Sequence, residues 1–315
     1  MRKLIKMAAA AGLILGAVTV FNRAVFKLAA MLERRPQIGF KTYNWRYGKL
    51  NYIKTGCGDP ILLIHGADAG ASLMEWENNI GALAREHTVY AVDLLGFGHS
   101  DKPGVEYSAY LYTTLINDFI YDVIGAQVNI AASGEGAAFA VMACVFKPQF
   151  YKKMLLVSPE GLRGIADAPT NRHVWFKWCL CLPVIGTLFY NILSSKACIR
   201  YSLRRSGFCD KTLATPEMAE ERFVSAHIGG EKARLPLAAC KSRFLHVSIE
   251  KPLSDIRIPL CVAWGEDSVD SFDDEYRAVE RANPGARQVV FDDAKRLLHI
   301  EQSERFNELC LEFFK

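Results

Sequence analysis

The chain has 315 residues, 50% of them hydrophobic and 23% charged, a composition that excludes disordered, collagen-like and low-complexity classes. Thirty-eight basic side chains against 34 acidic ones leave a net charge of +4, too small and too dispersed for a nucleic-acid-binding surface. A chain this long buries a core without disulfide or metal staples.

It opens on MRKLIK, followed by the unbroken apolar run Met7–Phe21. That run is short of the ~20 residues that usually span a bilayer, but the pattern continues to Leu32, interrupted by Arg23 and Lys27, both able to snorkel. We read residues 1–35 as an uncleaved membrane anchor, with a signal peptide as the alternative; Leu28-Ala29-Ala30 is a poor cleavage site. Basic residues flank both ends and leave orientation open. Nine cysteines, an odd number without paired metal-ligand spacing, point to free thiols, no metal, and a cytoplasmic main domain; secretion after signal cleavage is the competing placement.

Beyond the anchor, KTYNWRYGKLNYIKTG predicts a hairpin turning at Tyr47-Gly48, and PILLIHG a strand buried on both faces. Helix and strand then alternate: residues 71–86 helix, 87–96 strand, 110–125 helix, 128–133 strand, 137–147 helix, 151–161 strand. After a change of rhythm, residues 259–267 predict a strand, 271–282 a helix, 287–293 a strand and 303–315 the closing helix. Such alternation predicts an α/β fold, a mostly parallel sheet flanked by helices. The segment between lacks the buried-strand rhythm. We therefore divide the chain into a core of residues 36–162 and 256–315, and a helical cap of residues 163–255.

Three motifs fall at strand ends, where open α/β sheets place their sites: His65-Gly66, the run from Asp93 to Ser100 (DLLGFGHS), and Trp264-Gly265-Glu266-Asp267. In this order, with an insertion before the last, they resemble the α/β-hydrolase family from about Lys41 to the C-terminus. The stretch LPVIGTLFYNILSS is similar to cap helices of members acting on small apolar molecules. The resemblance implies an oxyanion hole built from the backbone N–H groups of Ala67 and Glu135, and Asp267 as the acid of a triad. His65 and His99 read as structural loop residues.

Two triad positions depart from the family pattern. Counting six from Val128 puts Gly134 at the nucleophile position, with small residues Ala132 and Gly136 where strand and helix must cross. Sliding by one makes Ser133 the nucleophile but places Glu135 at the crowded crossing. His299, Glu301 and Phe306 match the end of the family's histidine motif, which puts Arg296 at the catalytic-histidine place. An arginine cannot accept a proton as general base. We expect it to pair with Asp267. The sequence thus leaves two functions open. One is a silenced homologue, with remnant positions Gly134, Asp267 and Arg296, that binds a small apolar ligand beneath Trp175, Phe176, Trp178, Leu188, Phe189 and Tyr190, or binds a protein partner. The other is an esterase-like serine hydrolase using Ser133, Asp267 and His299. No glycine-rich dinucleotide loop occurs, so no cofactor is expected.

Overall fold

The computed structural model describes residues 1–33, 39–162, 169–268 and 272–315. The boundaries expected near residues 35 and 163 lie outside the described residues.

A 31-residue helix, α1 (Arg2–Leu32), comes first. The strands are β1 (Lys41–Trp45), β2 (Gly48–Thr55), β3 (Pro60–Ile64), β4 (Thr88–Val92), β5 (Val128–Ser133), β6 (Tyr151–Val157), β7 (Leu260–Gly265) and β8 (Arg287–Phe291). They form one sheet in the order β1-β2-β4-β3-β5-β6-β7-β8. β1 and β2 make the expected hairpin, with Trp45 opposite Gly48, and β2 runs antiparallel to β4. From β4 through β8 every pairing is parallel.

The central strands alternate between two cores. Leu62, Ile64, Ile130, Leu156 and Val262 point to one face; Ile61, Leu63, Ala131, Leu155 and Cys261 point to the other. That two-period split explains the near-continuous apolar runs in the sequence, because both faces are covered. Helix α2 (Glu77–Leu83) and the C-terminal helix contribute to the second core, while α3 (Ala109–Phe119) and α4 (Gly134–Phe146) contribute to the first. The helix expected over residues 71–86 is split: Leu73–Trp76 forms a tight 3₁₀ turn before α2 begins.

Between β6 and β7 lie α5 (Asn171–Cys181), α6 (Ile185–Leu193), α7 (Lys196–Ser202), α8 (Pro216–His227), α9 (Arg234–Lys241) and α10 (Glu250–Asp255). Thr215 caps α8, accepting from the Met218 N–H with Pro216 in the first turn, a cap worth about 1 kcal/mol. α10 packs on α4 and on α11 (Phe272–Ala282), back on the core side. The chain closes with α12 (Leu298–Glu301) and α13 (Ser303–Phe314).

α1 is long and apolar enough to cross a membrane, with a mean hydropathy of 2.1 over its best window. Residues 2–17 are exposed on all sides, while Asn22, Val25, Phe26, Ala29 and Leu32 form a stripe against the cap. The 3–4-residue spacing of that stripe is one helical face.

Candidate active-site cleft

The site lies where β5 meets α4. The strand ends extended at Ser133, and the turn into α4 is made by Gly134 with φ +52°. That left-handed conformation costs a residue with a Cβ about 1–2 kcal/mol, so glycine relieves it. Two residues on, α4 crosses β3 so closely that a Cβ on Gly136 would stand 2.3 Å from the His65 carbonyl oxygen. The small residue expected at this crossing has its physical reason there.

Ser133 is buried but lines the cavity at the turn beside Gly134. Its hydroxyl donates to Oε1 of Glu75, a carboxylate on the 3₁₀ turn. The same oxygen lies 3.3 Å from His299 Nε2, and Oε2 lies 3.8 Å from Arg222. Burial alone would push Glu75 up; the hydrogen bond and charge of His299, then Arg222 and Ser133, outweigh it and hold the carboxyl well below the ordinary range. His299 is completely buried, its ring 4.4 Å from the Trp76 ring, with its carbonyl taken by Asn79 at 3.0 Å.

Arg296 sits above the turn. Its Nη2 is 3.8 Å from where a Cβ on Gly134 would be, and its Nη1 is 3.4 Å from Glu160 Oε1. The attraction of Glu160, helped by Glu135 and Asp68, outweighs burial and keeps the guanidinium charged. Both donors expected for the oxyanion hole face one carboxyl group. The Ala67 N–H is 3.5 Å from Oε2 of Glu135, and the Glu135 N–H bonds its own side chain. Burial and the nearby Glu160 push Glu135 up to about 8 against the pull of Arg296.

These positions correct two expectations. Asp267 does not pair with Arg296; its carboxylate accepts from Cys209 Sγ at 3.3 Å. The guanidinium instead pairs with Glu160 at 3.4 Å, the strongest attraction on it. Nor do Ser133, Asp267 and His299 assemble as a triad, because the Glu75 carboxylate binds both the serine hydroxyl and the imidazole. A hydroxyl committed to a carboxylate is not delivered to a histidine base. His65 is structural as read: its Nε2 accepts from the Leu94 N–H at 3.0 Å. His99 stays in its loop, where its backbone N–H donates to Asp93 at 2.9 Å.

A cavity of about 40 Å³ lies at the turn, walled by Asp68, Glu75, Gly134, Ser158, Arg222 and Arg296. Across Arg296 and Ser158 it borders a second cavity of about 230 Å³ that includes Glu135, Glu160 and His246. The cap aromatics do not roof either one. Trp175, Phe176, Trp178 and Phe189 are exposed, and Tyr190 is buried with its hydroxyl donated to the Ala226 carbonyl. Helical periodicity alone does not say which side of a helix meets the core.

The sequence reading missed Glu75, Arg222 and Glu160. The one available signal for Glu75 was a carboxylate beside Met74 and Trp76, at the head of an apolar stripe.

Residues 61–309 match a model of the alpha/beta hydrolase family. A 2-hydroxy-6-oxo-6-(2'-aminophenyl)hexa-2,4-dienoic acid hydrolase from Metapseudomonas resinovorans is 35% identical over 113 residues, 35% of this chain but only 39% of that enzyme. A carboxylesterase of Bacillus subtilis is 22% identical over 85% of each chain. Among solved structures, a meta-cleavage product hydrolase from Pseudomonas fluorescens superposes with a TM-score of 0.70 at 24% identity, covering 88% of this chain and 97% of that one. With a mostly parallel sheet, a glycine elbow and a helical insertion before the last two strands, the chain belongs to the alpha/beta hydrolase family.

Proposed function

We propose that this is a membrane-tethered, catalytically silent member of the family that binds at its cleft instead of turning over an ester. The observation that carries the reading is the elbow: a glycine in left-handed conformation with an arginine guanidinium 3.8 Å from where its side chain would begin. Acyl transfer on this fold needs a hydroxyl at that point and a neutral imidazole beside it. Here the elbow carries no hydroxyl and its neighbour accepts no proton. The oxyanion donors, turned toward Glu135, support the same reading. The charged walls favour a small polar ligand over the apolar one expected from the cap sequence. The exposed apolar part of α1 supports the tether.

Labelling with a broad serine-reactive phosphonate tests silence directly. The expected result is no labelling above a Ser133→Ala control, with label and short-chain ester turnover appearing in Gly134→Ser combined with Arg296→His. Strong turnover in the parent, abolished by Ser133→Ala and by His299→Ala, refutes it. That outcome would favour a second reading, in which the Ser133–Glu75–His299 cluster rearranges to work. Retention of the full chain in carbonate-washed membranes tests the tether; recovery wholly in the soluble fraction rejects it.

A further inference from the structure

α5 and α6 meet at 105° around Leu182, Pro183 and Val184. At 11 and 9 residues they are ~16 and ~14 Å long, so neither reaches across a ~30 Å hydrocarbon core. Yet they expose six large apolar side chains, Trp175, Phe176, Trp178, Ile185, Phe189 and Ile192, with the two tryptophan rings in edge contact at 5.8 Å. Trp175 and Trp178 are 67% and 55% exposed. A patch of this kind on a single domain marks an interaction surface.

What covers it follows from where α1 leaves the body. Asn22, the residue after the apolar Met7–Phe21 run, donates from Nδ2 to the Val184 carbonyl at 2.8 Å, at the corner itself. Asn191 on α6 donates back to Asn22 Oδ1 at 2.9 Å. The corner is therefore fixed beside the point where the exposed length of α1 begins. Residues 4–21 make ~27 Å of helix, about one hydrocarbon thickness. With that length in a bilayer, the corner lies at the bilayer surface. The corner itself, residues 171–193, carries Arg172 and Lys177 and no acidic residue, which suits anionic headgroups. Tryptophan beside basic residues is the composition of an interfacial belt.

We propose that the α5–α6 corner is a second membrane-contacting element, bedding Trp175 and Trp178 in the headgroup region of the anionic leaflet that α1 enters. This rests on the reading of α1 as a membrane anchor. The bilayer, and not a second copy of the chain, is the occupant because the Asn22 clamp joins the patch to the membrane-crossing length.

The test uses the full chain in phosphatidylcholine–phosphatidylglycerol vesicles with lipids brominated near the headgroup. Of the five tryptophans, Trp45, Trp76 and Trp264 are buried, so contact quenching reads Trp175 and Trp178. Emission should fall by up to about two-fifths, the share of two tryptophans in five. The fall should vanish in Trp175→Phe/Trp178→Phe, which should still float with the vesicles. Protein that floats but is not quenched overturns the inference and leaves the anchor standing; so does quenching that persists in the double variant. Protein that fails to float removes the anchor and the inference with it.

Discussion

Gly134 and Gly136 stand two residues apart in one turn, and the structure assigns them opposite tolerances. A side chain on Gly134 meets only the Arg296 guanidinium and the Gly66 Cα, each at 3.8 Å, so the space is open. The cost is the φ of +52°, about 1–2 kcal/mol for a residue with a Cβ. Gly136 sits in ordinary helical backbone, where alanine on its own would gain about 1 kcal/mol. Its Cβ, however, would stand 2.3 Å from the His65 carbonyl oxygen and 3.0 Å from Ile64 Cγ2. Relief at a backbone atom requires α4 and β3 to separate by about an ångström, beyond the ~1–3 kcal/mol usual for core overpacking. Gly134→Ser is therefore expected to lose about 1–2 kcal/mol, and Gly136→Ala more than about 3 kcal/mol. Urea unfolding in mild detergent, followed by tryptophan emission and with the slope checked for constancy, measures both. Gly136→Ala as stable as the parent, or Gly134→Ser equally crippled, would refute the strand–helix geometry at the elbow.

Glu135 binds its proton more tightly folded than unfolded, so its stabilising contribution is full below about 4.5 and lost as pH rises through about 8. Thermal melts of Glu135→Gln should consequently gain on the parent as pH rises across that window; parallel curves would reject the buried, raised carboxyl. Glu75 has the opposite sign: its depressed value contributes stability above about 4.5 that disappears as pH falls toward the folded value. Glu75→Ala, leaving Arg222 and His299 without their carboxylate, should cost about 3–5 kcal/mol at neutral pH by urea unfolding and flatten the acid limb; a loss below about 1 kcal/mol would contradict the cluster. Thiol titration of the native protein should label exposed Cys57 promptly and leave Cys144, Cys261 and Cys310 unreacted until unfolding; equal rates would disprove their burial.

The sheet was legible because PILLI, TVYAV and VNIAAS are apolar without alternation, which only a strand covered on both faces requires. Gly134 was legible too, since the spacing from Val128 and the small residues around it agree with a tight crossing. Glu75 was not, because its partners Ser133, Arg222 and His299 lie 58, 147 and 224 positions away and no local pattern joins them. The direction of Arg296 depended on a comparison of carboxylates that only coordinates allow. The cap aromatics were read as inward-facing because an apolar helix face looks the same whether protein or something else covers it.

If α1 enters a bilayer as proposed, the asparagine clamp on it sets how high the body rides. Because Asn22 is pinned between Val184 and Asn191, the helix cannot slide along the cap, and everything before it works as a ruler. Each residue inserted upstream lengthens the free rod by ~1.5 Å without disturbing the pinned face, whereas one inserted between Asn22 and Ala29 would turn that face by ~100°. With α1 placed in a bilayer as proposed, elevation of the cleft is set by counting residues from a single polar side chain, Asn22.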